Sequence, residues 1–150
     1  MRTLAIEWQR LLDEEEKTCP RCSYTEQEIE KAANSLKWAL APHGIDIILR
    51  KVSIDPESFK KDVLQSNKIV IAGKTIEEWL GATTGQNKCC DTCGYVECRT
   101  VEYEDQTHEA IPADLIVRAG LVAAAQLFNV KSPIATKRIP VLKIVSKKRS

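Results

Sequence analysis

Six cysteines stand in a chain of 150 residues that has a single methionine, and their spacing divides them into two groups. Cys19-Pro20-Arg21-Cys22 is a C-x-x-C pair. At the start of a helix such a pair meets backbone N–H groups that have no intrahelical partner and the positive end of the helix dipole, both of which favour a thiolate. Cys19 is then the more exposed nucleophile that attacks a disulfide, and Cys22, one turn inside, resolves the mixed disulfide. Arg21 adds a positive charge beside them. The same spacing also makes half of a zinc site, so a buried or metal-bound pair is the alternative.

Cys89, Cys90, Cys93 and Cys98 form the second group, four thiols in ten residues. Cys90-Asp91-Thr92-Cys93-Gly94 has the form of a zinc knuckle, in which two thiolates bind one ion and the glycine permits the tight turn. Adjacent Cys89 and Cys90 would strain a shared ion, so three ligands from this segment and one outside group are expected. Zinc, an iron-sulfur cluster and a soft-metal trap for mercury or arsenic all use thiolates, and the spacing leaves the metal open. The alternative is a disulfide within the loop, which reducing surroundings disfavour.

Other side chains carry less. His43 follows Pro42 at an expected helix end and His108 lies in a polar hairpin, where solvated histidines are the ordinary finding. Trp8, Trp38 and Trp79 fall on different elements and are expected to pack in the core or at its edges. Asp13 to Glu16 reads as a solvated acidic turn. Neither a phosphate-binding loop nor a dinucleotide glycine pattern is present.

These groups need elements to hold them. Leu4, Ile6 and Trp8 alternate with Ala5, Glu7 and Gln9, the pattern of a strand with one better-buried face. After the C-x-x-C pair, two capping-box patterns (Ser23 with Glu26, Thr25 with Glu28) announce a helix with Ile29, Ala33, Leu36 and Leu40 on one face, ending near Pro42-His43-Gly44. Ile45 to Ile54 suits a strand covered on both faces, and Asp55-Pro56 opens a short helical segment to about Gln65. Ile69 to Ala72 turns at Gly73-Lys74 into Thr75-Ile76 as a hairpin. Residues 81–98 read as a loop organised by its own cysteines. Thr100 to Ile111 forms a hairpin turning at Asp105-Gln106, and Pro112 starts a helix with Leu115, Ala119, Val122 and Ala123 on its face, with Leu127 following. There is no internal repeat.

The composition, with 43% apolar and 29% charged residues, is that of one soluble domain. No apolar run approaches the roughly 20 residues that span a bilayer, and Met1-Arg2-Thr3 opens no signal-peptide stretch, so a cytoplasmic location without a membrane partner is expected. The net charge of +1 hides an asymmetry: residues 131–150 hold seven Lys/Arg and no acid, while the rest carries a net of −6. A basic tail can hold RNA, but the acidic body argues against nucleic acid. Ile139 to Val145 reads instead as an edge strand with a solvated lysine end. The expected organisation is a domain over residues 1–130, with the Cys-rich loop inserted, and a basic extension over 131–150.

Strand, C-x-x-C, helix, strand, helix, hairpin, helix is the order of a thioredoxin-like fold, and Cys-Pro-Arg-Cys resembles the Cys-Pro-x-Cys of glutaredoxins. Leu4 to Leu12 followed by Thr18 to Cys22, Ile71 to Gly81, and Cys89 to Gly94 with Glu97 to Thr100 resemble a prokaryotic thioredoxin-like family of unknown function, DUF2703. The resemblance covers roughly residues 4 to 127. It implies an α/β fold with a central mixed sheet flanked by helices, to which the chain adds the Cys-rich loop and the C-terminal strand. One departure stands out. Glutaredoxins place a cis-proline before the third strand, beside the dithiol, whereas this chain has Ser66-Asn67-Lys68. Two functions follow as expectations. One is a thiol-disulfide oxidoreductase in which Cys19 attacks, Cys22 resolves and the Cys-rich loop binds metal or relays disulfides, its partner a protein or small thiol. The other is a metal-binding module without turnover, built on Cys89, Cys90, Cys93 and Cys98 or on some of these with a thiol of the first pair.

Overall fold

The computed structural model describes residues 2–12, 19–88 and 96–128. Cys89, Cys90, Cys93, the acidic turn and the basic extension with its expected strand lie outside these. The described chain is a mixed α/β arrangement of two sheets and four α-helices. Among the described residues no helix is long and apolar enough to cross a membrane.

β1 (Arg2–Leu11) is the spine of the first sheet. Leu4, Ile6 and Trp8 are fully buried, as their alternation predicts. β2 (Ile45–Ile54) runs parallel to it, with Arg2 opposite Ile45 and Leu11 opposite Ile54. β3 (Lys68–Ile71) runs antiparallel on the other side, and β4 (Lys74–Thr75) returns from it, giving the order β2-β1-β3-β4. The expectation that β2 is covered on both faces fails: Ile45 and Ile47 are buried on one face while Ile48 and Val52, on the other, are each 38% exposed.

α1 (Pro20–Leu40) is the crossover between β1 and β2. It begins three residues before the expected capping serine. Pro20 is preorganised for the first helical position and lacks only an N–H that would have no intrahelical partner, and Cys19 is the N-cap, with Ser23 N–H donating to its carbonyl at 2.9 Å. The capping residues foreseen farther on serve other ends. Thr25 is buried, donates to the Arg21 carbonyl at 3.2 Å and accepts the Ile111 N–H at 3.1 Å. The Glu28 carboxylate accepts the N–H of Ala113, the first residue of α4 (Ala113–Ala125), at 3.2 Å. Hydrogen bonds from Lys31 and then Ala113 hold its pKa below the usual range.

The buried stripe of α1 is Cys22, Thr25, Ile29, Ala32, Leu36 and Leu40. Ala33 is only partly buried, and Trp38, expected to pack, is 79% exposed. α4 buries Leu115, Ile116, Ala119, Gly120, Ala123 and Ala124, leaving Val122 42% exposed. The stripe is rotated because α4 meets α1 through its small residues: a Cβ on Gly120 would lie 2.5 Å from Leu36 Cδ1. Gly120→Val therefore overpacks this contact, and we expect a loss of about 1–3 kcal/mol in urea unfolding, relieved in part by Leu36→Ala in the same chain.

Two short elements complete the first layer. α2 (Pro56–Lys61) is capped by Asp55, whose carboxylate accepts the Ser58 N–H at 2.8 Å, and a 3-10 turn follows at Val63–Gln65. α3 (Ile76–Leu80) starts with a capping box between Thr75 and Glu78. The segment expected as a cysteine-organised loop, residues 81–98, departs from that expectation at its described ends, where Thr83–Lys88 and Glu97-Cys98 belong to a second sheet. β5 (Thr83–Lys88) pairs antiparallel with β6 (Glu97–Tyr103), and β7 (Gln106–His108) completes the order β5-β6-β7. β5 is polar, so no apolar alternation announces it; its partner β6 supplies the burial, with Cys98 to Val101 all enclosed. Gly85 belongs here because any Cβ would collide with the side chains of Glu102 and Thr100 across the ladder. The turn from β6 to β7 falls at Glu104-Asp105, one residue before its expected place.

Candidate functional site

The C-x-x-C pair sits where β1 gives way to α1, with Cys19 as N-cap and Cys22 in the first turn. Both thiols belong to the core: Cys19 is 1% and Cys22 2% exposed. The expected contrast between an exposed attacking thiol and an enclosed resolving one is therefore absent, because other segments close over the helix start.

Arg21 is the first of these ties. Its guanidinium donates to Asn87 Oδ1 at 2.7 Å, to the carbonyls of Lys88 and Arg99 at 3.0 and 3.5 Å, and to Glu109 Oε2 at 2.8 Å. Glu109 balances its charge. Arg21 thus fastens the first turn of α1 to the β5-β6 hairpin, one residue before Cys89 and one after Cys98. Cys98 is 3% exposed and lies opposite Asn87 in the ladder. Directly paired residues project to one face, so Cys98 shares the face on which Asn87 meets Arg21. The hairpin thereby brings the base of the second cysteine group to the helix start. Cys98 is the member of that group within the described residues, among which no three His, Cys, Asp or Glu side chains gather closely enough to hold a metal ion. Arg21→Ala should leave the first sheet intact and accelerate amide exchange of β5 and the adjoining part of β6 by roughly 10- to 100-fold, the loss of two to three hydrogen bonds' worth of about 1 kcal/mol each, as read by hydrogen-deuterium exchange.

The second tie is the turn at Ser66-Asn67, just before β3. Ser66 Oγ lies 3.8 Å from Cys22 Sγ and accepts the Leu11 N–H at 3.0 Å. Asn67 takes a left-handed φ of 62°, which asparagine tolerates better than most residues. Its amide fixes that geometry, accepting from Trp8 Nε1 at 3.2 Å and donating to the Glu109 carbonyl at 2.9 Å. Asp62 braces the approach by accepting from Leu64 N and Gln65 Nε2. The Gln65 hydrogen bond is the main cause holding its carboxyl below the ordinary range.

A buried ion pair lies beside the same turn. Arg99 Nη2 meets Glu77 Oε2 at 2.5 Å, Arg99 Nη1 donates to the Leu64 carbonyl at 2.8 Å, and Thr84 Oγ1 donates to Glu77 at 2.8 Å. It ties β6 to α3 and to the segment leading into Ser66. Neither this pair nor Ser66 stands out in the sequence; the missing proline was the signal that pointed at the Ser66 position. His43 packs its ring 5.4 Å from that of Phe128, and His108 is on β7.

The family model described as a domain of unknown function, DUF2703, matches residues 4–120. A relative in Archaeoglobus fulgidus, named only as an uncharacterized protein, is 44% identical over 113 residues, 75% of this chain and 82% of the relative. No solved structure matches.

Proposed function

The chain belongs to the DUF2703 family, whose description assigns no activity, and from the site we propose that it is a thioredoxin-like thiol-disulfide oxidoreductase. The observation that carries this reading is a dithiol at the N-terminus of a 21-residue helix, with Cys19 as the cap. The N–H groups of that turn and the helix dipole favour the thiolate over the thiol. A parallel β1-α1-β2 unit, an antiparallel β3-β4 hairpin and the order β2-β1-β3-β4 support the thioredoxin-like plan.

In the proposed reaction the Cys19 thiolate attacks one sulfur of a disulfide R–S–S–R. The Cys19–S–R bond forms and the first RS⁻ leaves. The Cys22 thiolate then attacks the Cys19 sulfur, closing the Cys19–Cys22 disulfide and expelling the second RS⁻. The protein loses two electrons and the substrate gains them, while the two thiol protons pass to the departing thiolates through water. Enclosure of both thiols favours small or extended disulfides over broad protein surfaces. Anaerobic reduced protein mixed with glutathione disulfide should release two glutathione thiols per chain. Failure to react with glutathione disulfide or with a protein disulfide would overturn the reading.

A second reading has its own observation. Cys98 is buried at the end of a hairpin next to the connection that carries Cys89, Cys90 and Cys93. A zinc ion, an iron-sulfur cluster or a soft metal held by these thiolates would close the hairpin. Metal found in anaerobically purified protein, and lost with Cys98→Ser, would support it.

A further inference from the structure

The exchange chemistry proposed above leaves one difficulty, which the Ser66 turn addresses. The resolving step needs Cys22 as a thiolate, yet Cys22 is 2% exposed, and burial favours the neutral thiol. Among the described residues the charged groups around this turn include Arg21, paired with Glu109, Arg99 of β6, paired with Glu77 of α3, and Asp62 and Lys68, which both hydrogen-bond Gln65 on the approach to it. Cys19 on α1 and Cys98 on β6 are titratable members of the same buried cluster.

We propose that Ser66 is the hydrogen-bond donor to the Cys22 sulfur that lets Cys22 attack the Cys19 mixed disulfide as a thiolate. The direction of the bond follows from the partners. Leu11 N–H occupies one side of Ser66 Oγ at 3.0 Å, so the oxygen is already an acceptor. The hydroxyl retains its one proton. Ser66 is 1% exposed, and a buried hydroxyl proton without an acceptor is costly. Among the described residues the partner that the structure records for that proton is Cys22 Sγ, at 3.8 Å. Asn67, locked by Trp8 and the Glu109 carbonyl, holds the turn that aims it. A thiolate cannot donate, so in the reacting state the bond runs from serine to sulfur. When the Cys19–Cys22 bond closes, the sulfur becomes a poorer acceptor, and Ser66 therefore stabilises the reduced state over the oxidised one.

This inference rests on the exchange reading, and its test separates the two. Reduced wild type, Ser66→Ala and Ser66→Thr are mixed with glutathione disulfide, and the two thiol releases are timed while Cys19 glutathionylation is followed by mass spectrometry. A hydrogen bond to a charged group is worth about 1.5–3 kcal/mol, so Ser66→Ala should raise the alkylation midpoint of Cys22 by about one to two pH units. The thiolate fraction falls accordingly, but the less acidic thiolate is more nucleophilic, so the second release should slow by roughly 3- to 10-fold. The first release should keep its rate, glutathionylated Cys19 should accumulate, and Ser66→Thr should restore both readouts. An unchanged Cys22 midpoint and second release in a folded Ser66→Ala protein would overturn the inference. If wild type does not react at all, the exchange reading fails, and the Cys22 midpoint still decides whether Ser66 donates.

Discussion

Replacing Cys19 with serine should reduce single-turnover exchange with glutathione disulfide by roughly a thousandfold or more, to the rate seen without protein. Loss of an attacking group typically removes nearly all of the catalysis that depends on it. A serine hydroxyl remains protonated near neutral pH and does not displace a thiolate from a disulfide. The substitution is nearly isosteric at a helix cap, where serine is itself a favoured residue, so the fold and far-UV circular dichroism should be unchanged. Cys22→Ser should behave differently: the first thiol is released at close to the wild-type rate, and the protein stops as a stable Cys19 mixed disulfide. A Cys19→Ser protein that exchanges as fast as wild type would remove Cys19 from the reaction.

The largest stability effect is expected at the buried pair between Glu77 and Arg99, whose side chains are 5% and 7% exposed. Arg99→Met leaves the Glu77 carboxylate buried with Thr84 as its remaining donor, and breaking a buried pair on one side costs about 3–5 kcal/mol. The pair is not fully satisfied even when intact, since Glu77 Oε1 and Arg99 Nε have no hydrogen-bond partner among the described residues. Its value therefore lies in joining β6, α3 and the Leu64 carbonyl more than in net energy. The combined Glu77→Gln, Arg99→Met protein should recover a large part of the loss, because neither charge is then stranded. Urea unfolding of the two single variants and the double variant measures this directly, and additive losses would contradict it.

Much of the first layer is legible in local patterns. The alternation of Leu4, Ile6 and Trp8 locates β1 and its buried face, and the apolar run locates β3, although the turn falls at Ala72-Gly73, one residue before its expected place, and Ile76 opens α3 instead of continuing the hairpin. The second layer is not legible in this way. Thr83 to Lys88 has no apolar period, and after Thr83 and Thr84 no strand formers; it becomes a strand because β6 and Arg21 offer it partners far away in the chain. Residue type alone also does not reveal what Arg21 ties together: its side chain reaches across to the hairpin and pairs with Glu109. The site follows the same division: Cys19 and Cys22 are marked by spacing, while Ser66 acquires its meaning only when β1 and the turn before β3 close around the helix start.

The central claim is that Cys19 and Cys22 cycle between dithiol and disulfide. Its most direct measurement is thiol mapping by peptide mass spectrometry, with metal content determined on the same anaerobic samples, before and after one equivalent of glutathione disulfide. The account predicts that Cys19 and Cys22 pass from alkylatable thiols to a mutual disulfide while metal content stays constant. Both thiols remaining alkylatable, or metal leaving the protein without formation of that disulfide, would contradict it.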